Sequence, residues 1–150
     1  MTKSVRLKSF AKINLFLEVG ARQPDGYHLI DSVMQSVDLA DEITVALDET
    51  GLSTTSPFDD VDLDRRTMAK RRGSIMAPVV PVRLQCNHPH VPTDSKNTAV
   101  KAAAAFFERA GEWGVNPAAL AISIKKRVPL AAGLAGGSGN GAAVLIALNE

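Results

Sequence analysis

Five glycines fall within nine residues, at Gly133, Gly136, Gly137, Gly139 and Gly141. They stand between an alternating segment, Leu120-x-Ile122-x-Ile124, and an apolar run over residues 142–148. Glycine backbones can turn successive N–H groups to one side, and a helix behind them adds the positive end of its dipole. That arrangement binds anions, with phosphate the natural ligand. The spacing is not a Walker A loop, because no Gly-Lys-Ser/Thr closes it. It is not G-x-G-x-x-G either, because Gly141 follows Gly137 and Gly139 one position too early.

Two further groups could carry chemistry. In Ala11-Lys12-Ile13-Asn14-Leu15, Lys12 and Asn14 share one face of a strand. A lysine there can offset phosphate charge or favour ionisation of a hydroxyl, and a solvated strand face is the plainer alternative. In Asp25-Gly26-Tyr27-His28 the only tyrosine adjoins a histidine directly after a turn. An aromatic face beside an imidazole can stack on and hydrogen-bond a nucleobase, and a half-buried strand start is the plainer alternative. Cys86, His88 and His90 give three metal-ligand types around Pro89, short of the four a closed zinc site uses, so no metal site is expected.

These residues need elements to hold them. Residues 5–47 read as strands by their period-2 alternation: Val5 and Leu7, then Ile13, Leu15, Leu17 and Val19, a third segment over 28–37, and a fourth over 42–47. Turns are expected at Gln23-Pro24-Asp25-Gly26 and at residues 38–41. Pro81 marks residues 79–84 as an edge strand. Val100, Ala103, Phe106, Phe107 and Ala110 line one face of a helix over 98–110, with Asp94, Ser95 or Asn97 as its cap and Gly111 at its stop. A strand over 119–124, the glycine loop and a helix over 142–148 complete the chain. The last helix reaches Glu150 with no Gly, Pro or basic residue to close it, so the chain is expected to be the first part of a longer protein.

Composition narrows the function. The chain has 150 residues, 45% hydrophobic and 22% charged, with a net charge of +1. One domain with a real core fits that length, and disorder does not fit that composition. Near-neutral charge gives no reason to expect nucleic acid, and no apolar run is long enough to span a membrane. A single cysteine fits a reducing cytoplasm. Asp59, Asp60, Asp62 and Asp64 are followed by Arg65, Arg66, Lys70, Arg71 and Arg72 and nearly cancel them, as in a solvated surface excursion.

Taken together, Ala-Lys-x-Asn, Asp-Gly-Tyr-His and Pro-x-x-x-Gly-Leu-x-Gly-Gly-Ser resemble the 4-diphosphocytidyl-2-C-methyl-D-erythritol kinase family of the GHMP kinase superfamily. The resemblance covers residues 5–47 and 94–149, and leaves 57–82 as an insertion. It implies an α+β, two-layer domain with a mixed sheet, residues 1–150 being the ATP-binding N-terminal domain with the C-terminal domain absent. The implied reaction is ATP-dependent phosphorylation of the 2-hydroxyl of the cytidine-diphosphate-bearing substrate in non-mevalonate isoprenoid synthesis, with ATP and Mg²⁺ as cofactors. By the same resemblance Lys12 is catalytic, and Asn14, Tyr27 and His28 bind substrate. Pro129, Leu130, Ala131, Ala132, Gly133, Leu134, Ala135, Gly136, Gly137, Ser138, Gly139 and Asn140 wrap the ATP phosphates. Asn97 and Lys126 stand near the nucleotide. The alternatives are another GHMP small-molecule kinase and a non-catalytic nucleotide-binding remnant.

Three departures bear on the site. Ala135 stands where the family has Gly, and its methyl conflicts with a positive φ. Ser138-Gly139 replaces a Ser-Ser pair, leaving one hydroxyl for Mg²⁺ or phosphate. The family's Gly-Ala-Asp-x-Pro segment, which carries its proton acceptor, does not occur in these 150 residues, so no turnover is expected from them alone.

Overall fold

The structure is a computed structural model that describes residues 2–48, 80–113 and 119–150. A four-stranded mixed sheet carries two helices on one face. The strands are β1 (Thr2–Arg22), β2 (His28–Asp48), β3 (Val82–Cys86) and β4 (Ala119–Lys125), in the order β1-β2-β4-β3. β1 with β2 and β2 with β4 are antiparallel, and β3 with β4 is parallel. The helices are α1 (Thr98–Ala110) and α2 (Gly136–Leu148).

Alternation builds the inner face of the sheet. Val5, Val45, Ile122 and Leu84 form one row across all four strands; Leu7, Ile43 and Ile124 form the next. Ala99, Val100, Ala103 and Phe107 of α1 cover these rows together with Ala143, Val144, Ala147 and Leu148 of α2. Burying each large apolar side chain contributes about 1.5–3 kcal/mol, so this layer stabilises the base of the molecule.

Four short strands were expected over residues 5–47. The structure has two of 21 residues each. The predicted turn at 38–41 is instead a bulge within β2: Phe10 pairs with Ala40 and Lys12 with Ser36, so residues 37–39 stand opposite Ala11 alone. The turn at residues 23–26 is present, with Gly26 N–H donating to the Gln23 carbonyl at 2.9 Å and Gly26 at φ +89°. Beyond the bulge the hairpin runs on as a two-stranded arm, since β4 pairs only with residues 42–48 of β2.

The expected helix over 98–110 has those bounds, capped by the Asn97 side chain accepting from Ala99 N–H. The edge strand is β3. Residues 57–79 of the expected insertion lie outside the described residues, while Val80 is buried in the core. The last helix begins at Gly136, six residues before the predicted start, so most of the glycine run is helical.

Candidate functional site

The chain leaves β4 at Lys125 and enters α2 at Gly136. The connection between them is held at three points. At its start, Asp41 Oδ1 accepts the backbone N–H groups of Arg127 at 2.7 Å and Val128 at 2.8 Å. Asp41 Oδ2 accepts from Lys126 Nζ at 2.8 Å, and Lys126 Nζ also donates to the Val128 carbonyl. In the middle, Lys12 N–H donates to the Leu134 carbonyl at 3.2 Å, tying β1 to the loop. At its end, Gly139 N–H donates to the Ala135 carbonyl at 2.8 Å and closes the first turn of α2.

Between these points the backbone alternates in hand. Ala131, Gly133 and Ala135 have φ of +55°, +69° and +60°, while Ala132 and Leu134 do not. Alternation of this kind turns successive N–H groups toward one concave side, which is the geometry of an anion nest. No side chain caps α2, so the N–H groups of its first turn open toward the same side. The result is a concavity of about 340 Å³ lined by Thr98, Lys126 and residues 129–138. A wider concavity of about 640 Å³ runs along Leu84, Gln85, Cys86, Asn87, Thr93, Ser123, Ile124 and Lys125 and shares no residue with the loop.

The glycines serve two purposes here. Gly133 supplies a positive φ with open space where a side chain would stand. Those inside α2 permit close approach instead: a Cβ on Gly139 would lie 2.6 Å from Ser9 Oγ, and one on Gly141 2.9 Å from Thr98 Cγ2. Gly137 has neither constraint, with Thr98 Oγ1 at 3.8 Å from its Cβ position and a helical backbone. Ala131 and Ala135 adopt left-handed conformations that cost a residue with a Cβ about 1–2 kcal/mol each. The conflict expected at Ala135 is thus present in the backbone.

The other predicted residues fall in different places. Lys12 Nζ donates to Asn14 Oδ1 at 3.0 Å, so this pair shares a face as expected. Tyr27 and His28 lie at the tip of the arm. Tyr27 is 76% exposed, and ten residues of strand followed by the turn lead from Lys12 to it. Tyr27 N–H donates to Asp25 Oδ1, and His28 Nδ1 meets the Gly20 carbonyl at 3.1 Å. The Asn97 amide is engaged at both ends, accepting from Ala99 N–H and donating to the Pro92 carbonyl. The Lys126 ammonium is buried in its pair with Asp41. Gly139 and Asn140 face the sheet rather than the concavity, and Asn140 Oδ1 and Ser9 Oγ are buried without a hydrogen-bond partner.

Sequence reasoning missed Asp41 and Ser9. They pair across β1 and β2, and both are buried. Burial by itself raises the Asp41 carboxyl pKa; the Lys126 ammonium, the two backbone N–H groups and the Asn140 amide outweigh it and hold the group below its ordinary value. The signal was present: Asp41 falls on the same alternate face as Ile43, Val45 and Leu47, where a charge needs a partner.

Comparison with known proteins covers part of the same region. Residues 97–150 match the family described as GHMP kinases N terminal domain. The chain is similar to the 4-diphosphocytidyl-2-C-methyl-D-erythritol kinase of Gloeothece citriformis, 41% identical over 92% of this chain and 34% of that protein. It is 36% identical to the enzyme of that name from Nostoc punctiforme, over 98% of this chain and 37% of that one. It thus spans little more than a third of the length of these relatives. Among solved structures, a 4-(cytidine 5'-diphospho)-2C-methyl-D-erythritol kinase superposes with a TM-score of 0.61 at 28% identity, covering 97% of this chain and 40% of that one. Homoserine kinase from Cytophaga hutchinsonii shares the fold, with a TM-score of 0.56 at 18% identity over 97% of this chain and 34% of that one.

Proposed function

We propose that this chain, which carries the GHMP kinase N-terminal fold, binds the phosphates of ATP in the nest formed by residues 131–138 and presents Lys12 to the hydroxyl of a small-molecule acceptor. The reaction is ATP-dependent phosphorylation of an alcohol. The relatives' names point to 4-diphosphocytidyl-2-C-methyl-D-erythritol as the acceptor, and its 2-hydroxyl as the reacting group follows from the motif resemblance. The observation that carries this reading is the bond from Lys12 N–H to the Leu134 carbonyl. It sets the lysine's strand directly against the left-handed loop.

Phosphoryl transfer depends on alignment and charge neutralisation rather than covalent chemistry by the protein. Backbone N–H groups of the nest and of the first turn of α2 would hold phosphate oxygens. The Lys12 ammonium, steered by Asn14, would stabilise charge growing on the acceptor oxygen. Thr98 and Ser138 are the hydroxyl side chains at the concavity, and no carboxylate lines it among the described residues. Mg²⁺, which supplies further charge neutralisation when bound, would therefore be held mainly by the phosphates, with Ser138 as its protein oxygen. Tyr27 and His28 would engage the cytosine. No helix of the described residues is long and apolar enough to cross a membrane.

Calorimetry with ATP, inorganic tripolyphosphate and adenosine tests the reading. ATP and tripolyphosphate are expected to bind and adenosine alone to bind far more weakly. Gly133→Val, which places a β-branched side chain at φ +69°, should weaken both phosphate ligands at least about tenfold. Gly133 is a sharper probe than Gly137, whose backbone is right-handed. Undiminished tripolyphosphate affinity in a folded Gly133→Val chain would sink the assignment.

A further inference from the structure

Asp41 belongs to none of the motifs that point to phosphate, yet four groups converge on its carboxylate. It is fully buried on the inner face of β2. Three of its donors, the Lys126 ammonium and the N–H groups of Arg127 and Val128, belong to the residues that carry the chain out of β4. The fourth, the Asn140 amide, comes from the second turn of α2. One side chain thereby joins a sheet strand to both ends of the connection that forms the nest. Asn87 adds a brace from the β3 side, its Oδ1 accepting Lys126 N–H at 2.6 Å.

The direction in which the loop starts governs where its later N–H groups point. Such groups bind an anion well only if they already converge when it arrives. The two left-handed alanines make that convergence costly to hold, and such conformations persist where the surroundings impose them. Charge-assisted bonds from Arg127 and Val128 are placed to impose it, just ahead of Ala131, the first loop residue of opposite hand.

The geometry points to Asp41 as a positioning residue for phosphate: by accepting the Arg127 and Val128 N–H groups, it aims the loop so that the N–H groups of residues 131–138 converge. This rests on the phosphate reading above. Lys126 acts in this arrangement as the counter-charge that keeps the buried carboxylate ionised.

The experiment uses the 150-residue chain with inorganic tripolyphosphate as probe. Affinity is read by calorimetry well below the melting temperature of each variant, and folding by circular dichroism. Asp41→Ala removes the acceptor and is expected to weaken binding by at least about tenfold, as the loss of a charge-assisted hydrogen bond does. Asp41→Asn keeps an oxygen for both N–H groups and is expected to recover a clear part of that loss, although it too melts earlier. If the alanine chain does not fold, Asp41→Ser takes its place; its hydroxyl falls one bond short of both N–H groups and leaves room for water. A merely structural aspartate would lower both melting temperatures and leave both affinities at the parent value, and that result overturns the inference. So does an asparagine variant that binds as weakly as the alanine or serine variant. A parent chain that binds no tripolyphosphate overturns the phosphate reading itself, and the inference with it.

Discussion

At its base the β1–β2 hairpin buries charge, with Asp41 and Lys126 paired beneath the first turns of α2. Along its arm the same two strands leave apolar side chains in the open: Leu15, Val19, Leu29, Ile30 and Met34 are each at least 60% exposed. The two regions use the same local pattern of alternating residues. They differ in what lies against them. The base has two helices and a third strand, while the arm has no other element packed on it among the described residues. The arm even sets Glu18 directly opposite Asp31, a like-charge pair that weakens a hairpin. The base, by contrast, has its inner apolar rows covered by the two helices, and its buried polar groups are arranged around the candidate phosphate site.

The largest expected effect lies at the base. Asp41→Ala leaves the Lys126 ammonium buried without its partner, a loss of roughly 3–5 kcal/mol by analogy with other broken buried pairs. Urea unfolding measures it. The same interaction has a pH signature. The folded pKa of Asp41 lies below its unfolded value, so its contribution is fully present above the unfolded value, near 4 by the usual reference. It is lost as pH falls below about 4 through the folded pKa. Acid titration of the parent should show this loss below about pH 4, and the Asp41→Asn chain should show less of it.

The next effect is steric. Gly139→Ala puts a Cβ 2.6 Å from the buried Ser9 hydroxyl and is expected to cost about 1–3 kcal/mol, the usual penalty for overpacking. The remedy is specific. Ser9→Ala removes a hydroxyl that has no partner and leaves Ser9 Cβ at an ordinary 3.9 Å from the new methyl. The double variant should therefore recover the loss and can exceed the parent, because Ala favours a helix over Gly by about 1 kcal/mol. A double-mutant cycle with no coupling would show that the helix and strand do not approach as closely as described.

These two sites also show where sequence reasoning reached and where it stopped. The helix over 98–110, its Asn97 cap, the hairpin turn and the edge strand were legible, because each depends on local periodicity or turn chemistry; the mixed sheet followed from the motif resemblance. The strand through residues 38–41 was not. Aspartates there read as turn residues, whereas Asp41 is held by groups 85 or more residues away in sequence. The start of α2 was misread for a related reason. Glycines suggest a loop, but Gly139 and Gly141 are demanded by Ser9 and Thr98 across a close contact that no local pattern records. At the site, the pairing of Lys12 with Asn14 was visible in the residue types, and the conflict at Ala135 in the departure from the family's motif. The tie between Lys12 and Leu134 is a tertiary hydrogen bond and left no trace in the sequence.

A smaller effect of opposite sign is expected in the loop. Ala135→Gly relieves a left-handed alanine, worth about 1–2 kcal/mol, and gives back part of it through the freer unfolded chain. The net expectation is a stabilisation of about 0.5–1 kcal/mol, seen as a rise in melting temperature. A fall would mean that the Ala135 methyl makes packing contacts that outweigh its strain.

The smallest effect, at Val19, tests the comparison most directly, because the same substitution can be made at both ends of the hairpin. Valine and threonine have nearly the same shape and the same preference for strands, so Val→Thr changes little except polarity. Val45 at the base is 3% exposed and sits in the row between Val5 and Ile122. A hydroxyl there has no partner waiting for it, and the expected cost is about 1–3 kcal/mol. Val19 on the arm is 60% exposed and pairs with Ile30, which is also exposed. A hydroxyl there keeps its water, so Val19→Thr should change stability by less than about 0.5 kcal/mol. Unfolding of the two variants under one set of conditions gives the difference between base and arm, with backbone propensity cancelling. A cost at Val19 equal to that at Val45 would show that the arm is covered in solution, and the contrast between the two ends of the hairpin would then be lost.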